Sequence, residues 1–193
     1  MKTYEYGRIG RLAQNLEKAG IDPGIIDQIM EGGETIRRGT TPEKKAEWMK
    51  GAMSRMDRLL DSQTRHSIRE GCACCLGGKR LEIVKDIAKQ GGALEDRIQA
   101  ANNAKLVFGN GVTLQDDGQI LVRFAPDGLP HYGCVCLRKA KEPISITYCY
   151  CCGGHIKHHL QIALGRKLEC KARSSALSSG WKKPCSFLFR IME

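Results

Sequence analysis

The residues best suited to chemistry in this chain are its cysteines, and they are grouped. They stand at Cys72, Cys74 and Cys75, at Cys134 and Cys136, and at Cys149, Cys151 and Cys152, with Cys170 and Cys185 further on; residues 1–71 contain none. Short spacings of this kind favour metal binding or thiol chemistry over a disulfide scaffold. The C-x-x-C spacing of Cys72 and Cys75 suits a metal knuckle. The pairs Cys134-Val135-Cys136 and Cys149-Tyr150-Cys151 read as strands, in which residues two apart share a face. With Glu142-Pro143 in a hairpin turn, Cys134 would fall opposite Cys149, about 5 Å away at the β-carbon. Residues two apart along a strand are separated by about 6.6 Å, too far for both sulfurs to reach one zinc at about 2.3 Å. One ligand from each pair is therefore expected, with Cys72 and Cys75 completing the set. Zinc is the expected ion; an iron–sulfur cluster is less favoured because its spacings are absent.

A second constellation overlaps the first. Cys149-Tyr150-Cys151-Cys152-Gly153-Gly154-His155 reads as strand, glycine break and helix, followed by His158 and His159. A thiol beside a helix N-terminus is shifted toward thiolate. Cys151 or Cys152 is thus a candidate nucleophile, with His155 as its base. The three histidines fall on one helical face, which as a surface stripe would do no chemistry. Phosphate-loop, G-x-S-x-G, H-E-x-x-H and calcium-loop patterns are absent.

The elements that must position these groups change character near residue 105. Before it the apolar period is helical: Ile9 to Ala19, a helix opened by Asp22-Pro23, and another opened by Thr41-Pro42. The last presents Met49, Met53 and Met56 on one face, a core stripe. Further helices are expected through His66 to Gly71, Leu81 to Ala88 and Leu94 to Ala101. After residue 105, strands are expected at 106–108, 112–114, 120–124, 131–137, 144–151, 167–173 and 185–191, with one helix at 155–164. The expected fold is α+β: N-terminal helices, then a mostly antiparallel sheet with a packed helix. The division is 1–71, a helical region, and 72–193, a cysteine-rich α+β region, possible as one continuous domain.

Composition narrows the function classes. With 41% hydrophobic and 27% charged residues over 193 positions, the chain is globular rather than disordered. No apolar run approaches the roughly 18 residues of a membrane span. The first twenty residues carry charges throughout, so the cytoplasm is the expected compartment. The net charge is +10, and residues 131–193 hold 11 Lys/Arg against 3 Asp/Glu. Such a surface can attract nucleic acid or small anions, but with 6% aromatics no base-stacking platform is visible.

The stretch from Thr147 to Ile191 combines the C-x-C, a helix ending Leu164-Gly165-Arg166, the segment Ser174 to Gly180 and Cys185-Ser186-Phe187. It resembles the C-terminal part of the L-2-amino-thiazoline-4-carboxylic acid hydrolase-like proteins and, more distantly, the 4-vinyl reductase-type small-molecule-binding domain. The resemblance covers the last quarter of the chain and implies an α+β ligand-binding fold. It also implies zinc held by cysteines near the terminal motif, which here would be Cys151 and Cys185. Ser174 to Gly180 offers no Cys, Glu or His to complete that set. The activity it implies is hydrolysis of a cyclic C–N bond. The leading expectation is a zinc-binding small-molecule-binding domain. The first alternative is a hydrolase of a small cyclic amide or amidine, using Cys151 or a metal-bound water; the second is a basic nucleic-acid-binding accessory protein.

Overall fold

In the computed structural model residues 3–192 are described; Met1, Lys2 and Glu193, the outer ends of the two expected regions, lie outside the described residues. The helical half forms where apolar spacing and caps agree. Helix α1 (Gly7–Lys18) buries Ile9, Leu12, Ala13 and Leu16 along one face. Helix α2 (Pro23–Met30) starts on Asp22, whose carboxylate accepts from the backbone N–H of Gly24 at 2.8 Å and of Ile25 at 3.2 Å. Helix α3 (Pro42–Leu59) starts on Thr41 and buries Ala46, Met49, Ala52, Met53 and Met56, so the methionine stripe is core. Helix α4 (Ser62–Gly71) is capped by Asp61, which accepts from Thr64 N–H at 3.0 Å. Each such cap is worth about 1 kcal/mol.

Three further helices follow: α5 (Lys79–Gln90), α6 (Leu94–Asn103) and the single turn α7 (Lys105–Phe108). Strands β1 (Gly111–Leu114) and β2 (Ile120–Arg123) form a hairpin over Asp117-Gly118. After a long connection comes α8 (Tyr150–Leu164), then β3 (Leu168–Ser174) and β4 (Ser186–Ile191). The sheet order is β1-β2-β4-β3 with all neighbours antiparallel. Its inner face carries Val112, Ile120, Val122, Phe187, Phe189, Cys170 and Ala172, all buried. The fold is therefore α+β, helices first and strands in the C-terminal half. One hydrophobic cluster runs from Ile9 on α1 to Phe189 on β4, so both expected regions contribute to the same core. No helix among the described residues is long and apolar enough to cross a membrane.

Helix α8 is the axis of the site. It packs against α4, α5, α6 and β3 and is buried nearly all round, which its glycines permit. A β-carbon on Gly154 would strike the backbone of Glu70, reaching its Cα at 2.8 Å; one on Gly153 would meet Cys170 Sγ at 2.7 Å. Gly153-Gly154 therefore lies inside the helix as a close-packing site for α4 and the sheet, not as a break before it.

Three expected strands are absent, each for a physical reason. Residues 106–108 form α7: an apolar triplet this short does not distinguish helix from strand. Gly109 then turns away at φ 76°, and the body of Phe124 leaves no room there for a side chain. Residues 131–137 form no strand. The alternation is present, with Tyr132 buried and Cys134 and Cys136 half-buried against an exposed Val135, but no strand among the described residues lies alongside to pair with it, and Tyr132 donates its N–H to Trp181 C=O at 3.0 Å. Residues 144–151 are helical, a short 3-10 turn at Ile146–Cys149 running into α8. Every residue from Thr147 to Cys151 is buried. A consecutive buried run is satisfied by a helix enclosed on all sides, and this packing overrides the β propensity of Thr, Tyr and Cys. The expected hairpin at Glu142-Pro143 is an exposed connection whose Glu142 pairs with Lys50.

Candidate functional site

Because residues 144–151 are helical, the two C-x-C pairs do not face each other across strands. Cys134 and Cys136 sit on the 131–137 loop, Cys149 ends the 3-10 turn, and Cys151 and Cys152 occupy the first turn of α8. The thiols still meet. Cys136 is in hydrogen-bonding contact with Cys134 and with Cys152, and Cys152 in turn with Cys151. These four thiols form a string rather than a tetrahedron. Among the described residues no group of three or more His, Cys, Asp or Glu side chains is arranged to hold a metal ion, so the residues as placed do not fit a closed four-ligand zinc site.

On one side of the string lies a narrow crevice open to solvent, its interior about 20 Å³, room for roughly one water, lined by Cys72, Cys74, Cys136 and Cys151 with Arg8, Arg11, Arg69, Met49 and Tyr148. Four elements build it. Helix α1 supplies Arg8 and Arg11; α4 and the segment after it supply Arg69, Cys72 and Cys74; the 131–137 loop supplies Cys136; the start of α8 supplies Cys151. The arginines lock these pieces together. Arg8 Nη1 donates to Cys136 C=O at 2.5 Å, Arg11 Nη1 to Ala73 C=O at 2.5 Å, and Arg69 Nη2 to Tyr148 C=O at 3.0 Å. A guanidinium has five N–H donors, so each keeps donors in reserve.

Arg69 is the most constrained of the three. It is 3% exposed, its guanidinium lies over the Tyr148 ring at 5.0 Å, and its Nε is buried without a partner. No carboxylate among the described residues forms an ion pair with Arg8, Arg11 or Arg69; the recorded pairs lie elsewhere. A buried charge without a counter-ion is costly. The nearest anionic candidates are the thiols themselves: burial pulls the Arg69 pKa down, but Cys151, Cys72, Tyr148 and Cys149 together outweigh it and hold the guanidinium charged.

The thiols diverge accordingly. The hydrogen bond from Cys152, with Arg69 and Arg8 nearby, overcomes burial and brings Cys151 down to about 7. Contacts from Cys134 and Cys152, with Arg8, hold Cys136 well below the usual thiol range, while Cys134 and Cys152 are pushed up in turn. Burial raises Cys72, carries Cys74 up to about 11 and Cys149 up to about 12, and raises Cys170 and Cys185.

Of the residues expected as metal ligands, Cys72, Cys136 and Cys151 share the crevice and Cys134 adjoins it through Cys136. Cys75 is exposed, at φ 63°. Cys149 is buried and hydrogen-bonded to Ser175, and Cys185 Sγ accepts from Ala176 N–H at 3.4 Å; neither lines the crevice. His155, the expected base, lies beside the carbonyls of Val107 and Cys74, with its ring 4.6 Å from that of His159. Burial, then His159 and Arg80, lowers it to about 4, so the ring is neutral. The hydrogen bond of Cys151 goes to Cys152, not to His155. Sequence reasoning offers Cys152 as an alternative nucleophile and assigns no role to Cys74, Tyr148 or the three arginines. The R-x-x-R spacing of Arg8 and Arg11 was the one available signal, since it places both on one face of α1.

A roomier groove of about 710 Å³ runs along α4 and β3, lined among others by His66, Glu70, Tyr150, Lys157 and Lys171. It holds the Glu70–Lys157 ion pair at 2.8 Å and the stacked His66–Tyr150 rings at 3.8 Å. Its cations are already paired or exposed, and Cys170 is the thiol beneath it.

A family model described as "Family of unknown function (DUF6144)" matches residues 17–180, and the chain belongs to that family. No curated protein matches the chain.

Proposed function

We propose that this family member binds a small anionic molecule in the arginine-lined crevice and presents the Cys151 thiolate to it. The observation that supports the reading is Arg69: a buried guanidinium with no carboxylate partner, flanked by Arg8 and Arg11 and facing four thiols. Guanidinium groups recognise carboxylate and phosphate through paired N–H donors, and a thiolate at the bottom of the same crevice is both nucleophile and soft ligand. The first turn of α8 adds the positive end of a helix dipole on the same side. Hydrolysis of a small cyclic amide or amidine through Cys151 is one reaction this arrangement could serve, and a carboxylate on such a substrate would meet the arginines.

Thermal unfolding in the presence of small carboxylates and of inorganic phosphate tests the reading. A ligand at 100 times its Kd stabilises by about 2.7 kcal/mol, which in a chain of this size is a rise of roughly 5–10 °C. The rise should be lost in Arg8→Gln. An equal rise in that variant, or none in the native chain across the series, would overturn it.

A metal-centred reading has one observation in its favour: Cys72, Cys74, Cys136 and Cys151 line a single crevice. Those thiols would have to turn toward one another to hold zinc at about 2.3 Å. Metal content of the chain isolated without chelator decides it: one zinc per chain supports this reading, and none removes it.

A further inference from the structure

We propose that the string of thiols is a disulfide-exchange relay: Cys151 takes up oxidising equivalents from a small anionic disulfide held at the mouth of the crevice, and Cys136 and Cys134 carry them to the surface. The choice of an anionic substrate rests on the crevice reading above; the relay itself rests on where the thiols lie. Cys151 is deep, 8% exposed, in the first turn of α8. Cys136 lines the same crevice and is the hub, in contact with Cys134 on one side and Cys152 on the other. Cys134 and Cys136 belong to a segment with neither helix nor strand, and Val135 between them is the most exposed large apolar side chain among the described residues, at 77%. Such a segment can adjust to the 4.4–6.8 Å Cα separation of a disulfide and can be reached by an external thiol. Of the other cysteines, Cys149 and Cys170 are buried outside the crevice and Cys75 is exposed outside it; Cys74 lines the crevice from a loop, but its thiol contact is with Cys75, 3.8 Å away, rather than with the string.

The steps balance as thiol–disulfide exchange. The Cys151 thiolate attacks one sulfur of the substrate disulfide, forming a Cys151–substrate mixed disulfide and releasing one substrate thiolate. The Cys136 thiolate then attacks Cys151 Sγ, releasing the second substrate thiolate and leaving a Cys136–Cys151 disulfide. Cys134 attacks Cys136 Sγ, which returns Cys151 to thiolate and moves the disulfide to Cys134–Cys136 on the loop. An external dithiol reduces that bond and is itself oxidised. Two electrons pass from the external dithiol to the substrate, which leaves as two thiols. The three guanidinium groups fit a disulfide whose halves carry carboxylates.

The test uses the full reduced chain and oxidised glutathione, with the thiols released counted and disulfides mapped by peptide mass spectrometry after rapid alkylation. The native chain should release two glutathiones per disulfide consumed and show Cys136–Cys151 or Cys134–Cys136 linkage, reversed by a dithiol. Cys136→Ser should release one and retain glutathione on Cys151. Adducts confined to Cys74 or Cys75, or an unchanged count in Cys136→Ser, would overturn the relay; the native map alone decides the matter if that variant does not fold. A neutral disulfide, hydroxyethyl disulfide, separates the two proposals. Equal linkage with the neutral and the anionic reagent leaves the relay and removes the anion reading. Anion binding without any linkage leaves the crevice reading and removes the relay.

Discussion

Gly154→Ala bears directly on how the crevice is assembled. An added methyl would stand 2.8 Å from Glu70 Cα and 2.9 Å from its carbonyl carbon, against an ordinary carbon–carbon contact of about 3.5–4.0 Å. Both partners are backbone of α4, so no rotamer relieves the overlap, and α8 must retreat by on the order of 1 Å. Overpacking of this kind costs about 1–3 kcal/mol, while alanine recovers about 1 kcal/mol of helix propensity over glycine. The net is roughly 0–2 kcal/mol of destabilisation, a fall in Tm of up to about 8 °C for a chain of this length. The consequence for the site is larger than the consequence for stability. Arg69 and Cys72 ride on α4 and its C-terminal end, Cys151 on α8, so the retreat draws the guanidinium away from the thiol. Differential scanning fluorimetry alongside the alkylation rate of Cys151 reads both effects. Gly77→Ala, where nothing lies within 4 Å, is the control. If Gly154→Ala matches that control in both Tm and Cys151 reactivity, the close approach of α4 and α8 does not hold the crevice together.

Other consequences follow from the charges. The alkylation rate of Cys151 should rise through an inflection near pH 7, and Arg69→Met should move that inflection upward, because the guanidinium favours the thiolate; an inflection in the ordinary thiol range near 8.5 in the native chain would contradict the assignment. The neutral His155 makes a separate prediction about acid. Its folded value of about 4 lies below its ordinary 6.5, so its stabilising contribution is complete above pH 6.5 and is lost as the pH falls toward 4. The shift corresponds to at most about 3 kcal/mol, reduced by the ring's partial solvent contact. Denaturant midpoints measured from pH 7 to 4 should fall steeply in the native chain and less in His155→Asn; parallel curves would refute it.

The helical half was legible from sequence because its signals are local and agree. Asp22-Pro23 and Thr41-Pro42 each combine a cap with a pre-set φ, and Met49, Met53 and Met56 repeat with the helical period. The hairpin of β1 and β2 was legible from Asp117-Gly118, and the terminal strands from their alternation. The segment that carries the site was misread because its pattern is not local. Thr147 to Cys151 has β propensity, and only the burial of all five residues by α4, α8 and the sheet makes it helical. Gly153-Gly154 looked like punctuation for the same reason: the partners that require it, Glu70 and Cys170, lie 84 and 17 residues away in sequence, positions visible only in the folded chain. A thiol cluster was foreseeable from cysteine spacing. Its counter-charges were not, since Arg8, Arg11 and Arg69 come from two helices that carry no motif, and only their convergence on Cys136, Ala73 and Tyr148 carbonyls reveals them.

The central claim is that Cys151 is a reactive thiolate at the base of a crevice that selects anions. Two reagents of similar size probe it directly: iodoacetate, which carries a carboxylate, and iodoacetamide, which is neutral. Site-resolved alkylation rates measured with both should give Cys151 an iodoacetate-to-iodoacetamide ratio on the order of tenfold above that of exposed Cys75, equivalent to about 1.4 kcal/mol of selection, falling in Arg8→Gln. A ratio at Cys151 equal to or below that of Cys75 would contradict the account.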